Sequence, residues 1–108
     1  RPVFASAALY EPFGLAVLEA AQAGCPLVLS DIPTFRELWD GTARFVAPMD
    51  AAGFAAAIAG VIGDAALRQS LGDAARERAR HYTPERMAAG VVEVYRALAN
   101  APSPRRAA

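Results

Sequence analysis

The sequence has no lysine and only one cysteine, one histidine and one tryptophan among 108 residues. A lone Cys25 excludes an intrachain disulfide framework and any multi-cysteine metal site, and it fits a reducing, cytoplasmic setting. Without lysine, 11 arginines balance 11 acidic side chains, and the formal charge is zero. That balance removes any global electrostatic reason to expect nucleic acid or an anionic membrane as partner. Long apolar runs are also missing. The most membrane-like uncharged stretch, residues 51–63 between Asp50 and Asp64, has 13 residues, short of the roughly 18 needed to span a bilayer. Large core side chains are scarce as well: 27 residues are alanine, which leaves 32 bigger hydrophobic residues, enough for one compact domain and not for two. The chain opens Arg1-Pro2-Val3-Phe4 with neither an initiator Met nor a targeting segment, so no signal peptide is expected and the 108 residues read as part of a larger design.

Residues 3–8 are short, apolar and small, and they lead into Glu11-Pro12-Phe13-Gly14, which predicts a buried strand ending in a turn. Residues 15–23 are good helix formers, closed by Gly24 as the terminal glycine and by Pro26. Residues 26–30 form an uninterrupted apolar run of strand length, suited to a sheet covered on both faces. Thr34 and Glu37 stand at capping-box spacing, which predicts a helix over 34–39 before the Asp40-Gly41 turn. A third strand is expected at 43–47. Beyond Pro48-Met49-Asp50, Phe54, Ile58, Val61 and Ile62 recur at helical spacing and mark a core face. A further helix after Asp64 places Leu67, Leu71, Ala74, Ala75 and Tyr82 on one side. Thr83-Pro84-Glu85 opens a last helix that runs to about Asn100. The order predicts an α/β, three-layer Rossmann-like fold with about three parallel strands, right-handed crossovers and flanking helices, in one domain over 1–100 with a solvated tail over 101–108. Ligands bind such sheets at the loops after the carboxyl ends of the strands, here residues 9–15, 30–34 and 47–50.

The helix at 15–23 reads LAVLEAAQA and is apolar nearly all round, which predicts packing on more than one side. Glu19 in its middle then needs a hydrogen-bond donor, a role that a ligand hydroxyl fills; the alternative is an ordinary solvent-facing glutamate. The amides near Phe13, Gly14 and Leu15 open the same helix, and a helix N-terminus suits a phosphate. Glu11 reads either as a carboxylate turned toward neutral sugar hydroxyls or as an acid that satisfies the helix dipole. Other conspicuous residues have structural explanations: Arg76, Arg78 and Arg80 as a solvated face, Phe35 and Trp39 as core anchors, Cys25 as a small buried hydrophobe, His81 as a cation near a helix C-terminus.

The stretch LYEPFGLAVLEA, residues 9–20, resembles the motif of two glutamates with seven residues between them found in retaining GT-B glycosyltransferases, glycosyl transferases group 1. Gly24-Cys25-Pro26-Leu27-Val28 is similar to that family's Gly-x-Pro-Val-Val strand entry, Ser30-Asp31 with Glu37 to its Ser-Asp-…-Glu segment, and residues 67–81 and 83–98 to its last two helices. The resemblance covers about residues 3–99. It implies that Glu11 is the catalytic-position glutamate, set against the donor-sugar hydroxyls near the charge that develops at the anomeric carbon. It implies that Glu19 accepts hydrogen bonds from the ribose and that Phe13, Gly14 and Leu15 contact sugar and diphosphate, with no metal and no cofactor. The implied donor is a UDP-, GDP- or ADP-sugar, and the acceptor is left open. Ala7-Ala8 stands where the family commonly has Pro-Ser, and Pro33-Thr34 where it commonly has Gly-Gly. The resemblance further implies that the chain is the second half of the C-terminal donor domain, without the acceptor domain, the glycine-rich loop or the Arg and Lys that bind diphosphate. Such a fragment is expected to be inactive alone. In a sheet of order 3-2-1-4-5-6 its first strand would be the fourth, and residues 3–8 would present an open edge able to form a homodimer. A non-catalytic α/β interaction or assembly module is the alternative from another class. A dinucleotide oxidoreductase fits poorly, because no G-x-G-x-x-G follows any predicted strand.

Overall fold

In the computed structural model, which describes residues 2–11 and 14–100, three short parallel strands form one sheet: β1 (Phe4–Ser6), β2 (Leu27–Ser30) and β3 (Arg44–Val46). The order is β1-β2-β3, with Phe4 opposite Leu27, Ser6 opposite Leu29, Val28 opposite Arg44 and Ser30 opposite Val46. The central strand is buried at every residue, as an uninterrupted apolar run in a doubly covered sheet must be. Its side chains alternate between two cores. Leu27 and Leu29 pack with Val17, Leu18 and Ala21 of α1 (Leu15–Gln22) and with Phe35 and Trp39 of α2 (Pro33–Trp39). Val28 packs on the other side with Phe54 and Val61 of α3 (Ala51–Ile62). The helix α4 (Ala65–Ala79) serves both, through Leu67 and Leu71 on the α3 side and Ala75 and Ala79 on the α1 side. The last helix, α5 (Pro84–Asn100), touches α1. The α/β layering and the parallel strands are those expected. The strands are shorter than the apolar runs suggest. The expected tail at 101–108 lies outside the described residues.

Local chemistry accounts for most element ends. At the end of α1 the Gly24 amide donates to the Ala21 carbonyl and the Cys25 amide to the Ala20 carbonyl, with Gly24 at φ 78°, a Schellman closure that only glycine adopts without strain. The side chains of Asp50 and Asp64 accept from the amides of Gly53 and Leu67 and cap α3 and α4. Thr83 caps α5 through the Arg86 amide, as its sequence context predicts.

Four expectations need correction. The Thr34–Glu37 capping box does not form: Pro33 occupies the first helical position, Ile32 before it is held extended at φ −119°, ψ 152°, and Thr34 is already inside α2. The helix α1 is covered on one side only, with Val17, Leu18 and Ala21 buried and Ala16, Glu19 and Gln22 exposed, because alanine lets an apolar sequence face water at little cost. Ile62, the last residue of α3, is 56% exposed and lies outside the core. Arg78 is no solvated bystander: its guanidinium donates to the carbonyls of Leu38 at 3.1 Å and Asp40 at 2.9 Å. The Tyr82 hydroxyl also donates to Leu38, at 3.0 Å. These donors satisfy carbonyls that the end of α2 leaves open. Phe35, Trp39 and Cys25 are buried as expected, and Tyr82 meets Trp39 edge-on at 5.6 Å.

Candidate functional site

The parallel sheet sends its loops out at one edge, and the two glutamates stand there on one piece of chain. Glu11 lies half-buried in the β1–α1 loop, and Glu19 lies exposed one turn into α1. Its neighbour one turn earlier on the same face, Leu15, is 41% exposed. Glu19 thus takes the solvent-facing geometry, and its carboxylate is accessible to a ligand lying along that face. Phe13 falls outside the described residues. Gly14 is buried and holds the helix-entry position at φ 61°, ψ 23°, left-handed backbone that favours glycine.

The amide of Gly14 already has an acceptor. It donates to Oε1 of Glu11 at 3.0 Å, so the carboxylate sits at the helix entry, the spot where the sequence places an anion. Of the two sequence readings of Glu11, this bond matches the acid that answers the helix dipole. An anionic ligand that takes up the Gly14 amide must first displace Glu11 from it.

Two further loops border this one. Asp31 follows β2, and its amide donates to the Val46 carbonyl at 2.7 Å, which draws the β2–α2 turn against the end of β3. The buried Ser30 hydroxyl donates to the Ala8 carbonyl and joins the same turn to the Glu11 loop. The sequence placed Ser30 in the Ser-Asp segment and in a loop expected at the ligand edge but not in a tie to Ala8; a hydroxyl at the end of an apolar strand run was the signal available. The Arg36 guanidinium binds both oxygens of Asp31, at 2.7 and 3.1 Å, and Oδ1 of Asp40 at 3.0 Å. Its bidentate hydrogen bond holds the Asp31 carboxyl below the ordinary value, and Arg36 itself is pushed further toward the charged form. This cation is committed to its own carboxylates.

On the α3 side of the edge, Ala7, Leu9, Met49, Ala51 and Phe54 line an apolar recess of about 440 Å³. Met49, 83% exposed, adopts φ 69°, unusual for a residue with a side chain. Leu9 and Met49 come from two of the loops expected at the ligand edge, but the recess contains none of Glu11, Gly14, Leu15 and Glu19. Among the described residues no three His, Cys, Asp or Glu side chains gather as a metal ion would require, and no single helix is long and apolar enough to cross a membrane.

Comparison with known proteins agrees with this architecture. Residues 2–78 match the family described as glycosyl transferases group 1. The chain is 49% identical over 71 residues to a glycogen synthase of Mycobacterium tuberculosis (strain CDC 1551 / Oshkosh), a match covering 64% of this chain and 17% of that protein. It is 38% identical over 93 residues to a phosphatidyl-myo-inositol mannosyltransferase of Mycolicibacterium smegmatis, covering 84% of this chain and 24% of the relative. Among solved structures, a sucrose-phosphate synthase from Thermosynechococcus elongatus, a GT-B enzyme, superposes with a TM-score of 0.70 at 32% identity over 89% of this chain and 25% of that one. The chain therefore spans a quarter or less of the length of these relatives. A family match over most of the chain, with the paired glutamates on the loop and helix that follow the first strand, places this protein in the glycosyl transferases group 1 family.

Proposed function

We propose that this chain supplies one side of the donor site of a retaining glycosyltransferase that transfers a hexose from a nucleotide-diphosphate sugar, with the rest of the enzyme contributed by sequence outside these 108 residues. The observation that carries the reading is the placement of Glu11 and Glu19 on one loop and helix at the carboxyl edge of the sheet, in a chain of this family. Glu11 faces the donor sugar, Glu19 receives the ribose hydroxyls, and Phe13, Gly14 and Leu15 border sugar and diphosphate. Nothing in the three edge loops supplies a cation for the diphosphate: the sequence has no lysine, and the nearby Arg36 is engaged by Asp31 and Asp40. That charge must be met from elsewhere in the enzyme, and without it and the acceptor the isolated chain performs no transfer.

Titration of the chain with UDP-, GDP- and ADP-sugars, followed by amide NMR, tests this. Shifts clustered at residues 11–19 are expected with one of the three. Silence from all of them at millimolar concentration would favour the reading as a non-catalytic interaction or assembly module. In a complete enzyme, Glu11→Ala lowers transfer while Glu19→Ala chiefly weakens nucleotide binding; unchanged donor affinity in the second would remove the ribose assignment.

The proposal extends to the outer edge of β1, which pairs only with β2 among the described residues. An unpaired edge templates another strand, and we expect a homodimer through residues 3–8 when the chain stands alone. Sedimentation that reports a monomer at all concentrations would contradict it. Cytoplasmic residence belongs to the same reading, because nucleotide sugars are the donors.

A further inference from the structure

We propose that Ser30 is a positioning residue of the donor site: its buried hydroxyl fixes the β1–α1 loop and thereby sets where the Glu11 carboxylate stands. The proposal rests on the donor-site reading above. Ser30 is fully buried, and it ends a strand whose other three residues are all apolar. Burial alone would be served better by a valine, since a hydroxyl removed from water is costly unless it finds a partner. Its partner is specific and distant. The ladder between β1 and β2 ends at Ser6 opposite Leu29. The Ser30 Oγ reaches past that last rung and donates to the carbonyl of Ala8, which lies 22 positions away in sequence and three residues before Glu11. The Ala8 methyl also rests against the α1-side core. Apolar contact holds the loop against the sheet, whereas the hydrogen bond gives the Ala8 peptide an orientation, and the chain direction leaving Ala8 determines where Glu11 meets the Gly14 amide.

Because Ser30 acts through Glu11, its loss should weaken the grip on sugar and spare the grip on nucleotide. The test uses the 108-residue chain with whichever of UDP-glucose, GDP-mannose or ADP-glucose it binds, and the matching nucleoside diphosphate. Ser30→Ala and Ser30→Cys should each weaken nucleotide-sugar binding by roughly three- to tenfold, the scale of one hydrogen bond, and leave diphosphate binding within about twofold. Ser30→Thr, which keeps the hydroxyl, should restore the sugar contribution. In a Glu11→Ala background Ser30→Ala should add nothing. Amide exchange should accelerate at residues 9–11 and 14–16 in Ser30→Ala while β2 amides keep their protection, which separates loop release from loss of fold. Equal weakening toward both ligands, no weakening, or a full additional effect in the Glu11→Ala background would overturn the assignment of Ser30 and leave the donor-site reading standing. Failure of the unsubstituted chain to bind any of these sugars would overturn both.

Discussion

Arg36 shares its guanidinium among three partners, the carboxylates of Asp31 and Asp40 and the ring of Phe45, whose centroid lies 4.1 Å from its central carbon. The contact to Asp40 is an i,i+4 pair that helix spacing announces in the sequence. The stronger, bidentate contact to Asp31 is not announced, because it depends on how the β2–α2 turn folds back. Its effect on pH has a definite sign. Asp31 titrates below its ordinary 3.8 when folded, so the stabilisation it contributes is complete above that value and disappears as pH falls through the lowered one. In Arg36→Ala the Asp31 carboxyl should titrate close to 3.8, measured by carboxyl-carbon NMR; an unchanged low value would show that another group holds it down. Glu11 is the second case at this scale. Its place just before the helix made an acid that answers the dipole readable, while its role against the donor sugar came from the family resemblance. The 3.0 Å bond shows that Glu11 holds the amide at the entry of α1, and Glu11→Ala should cost about 0.5–1.5 kcal/mol in urea unfolding, the scale of one hydrogen bond.

Helix ends divide into those closed from within and those closed from afar. Gly24, Asp50, Asp64 and Thr83 act on amides or carbonyls within three or four positions; Gly24 and Thr83 were read as caps, while Asp50 and Asp64 were read only as the residues before their helices. The C-terminus of α2 was not, since its carbonyls are met by Arg78 and Tyr82 from about 40 positions on. Arg76 and Arg78 look alike in the sequence. Arg76 is exposed, whereas Arg78 is half-buried and makes two bonds to α2. Arg78→Ala is therefore expected to cost about 1–3 kcal/mol in urea unfolding, by leaving carbonyls without charged donors. Arg76→Ala should stay within about 0.5 kcal/mol. Equal effects would return Arg78 to the solvated face. Gly53 offers a second contrast. A Cβ there would fall on the Asp50 cap and within 2.9 Å of Val46 Cγ1. Gly53→Ala, which raises helix propensity, should nevertheless destabilise by about 1–3 kcal/mol, as overpacking does. Exposed Gly60 in the same helix has nothing within 4 Å of such a Cβ, and Gly60→Ala should stabilise.

For the molecule as a whole, α4 matters most, because one helix contributes to the cores on both faces of the sheet. Neither face can open without loosening the other, so the two should unfold together. Trp39, the only tryptophan and fully buried on the α1 side, reports one face by fluorescence, while far-UV circular dichroism reports the helices of both. Their urea transitions should coincide; a separate, earlier loss of helix signal would mean that α3 detaches alone. The sequence of strands and helices, the parallel sheet and the family motif were legible because each rests on residues within a turn or two of one another or on the chemistry of a short run. Alanine made α1 ambiguous: its apolar count suggests burial all round, yet small methyls tolerate water, and only packing against α4 and β2 chose the buried side. The ties that place the candidate site, Ser30 to Ala8 and Asp31 to Val46, are likewise silent in local pattern. They join residues brought together by the parallel crossover, and a hydrogen bond between distant segments exists only once the sheet has set its register.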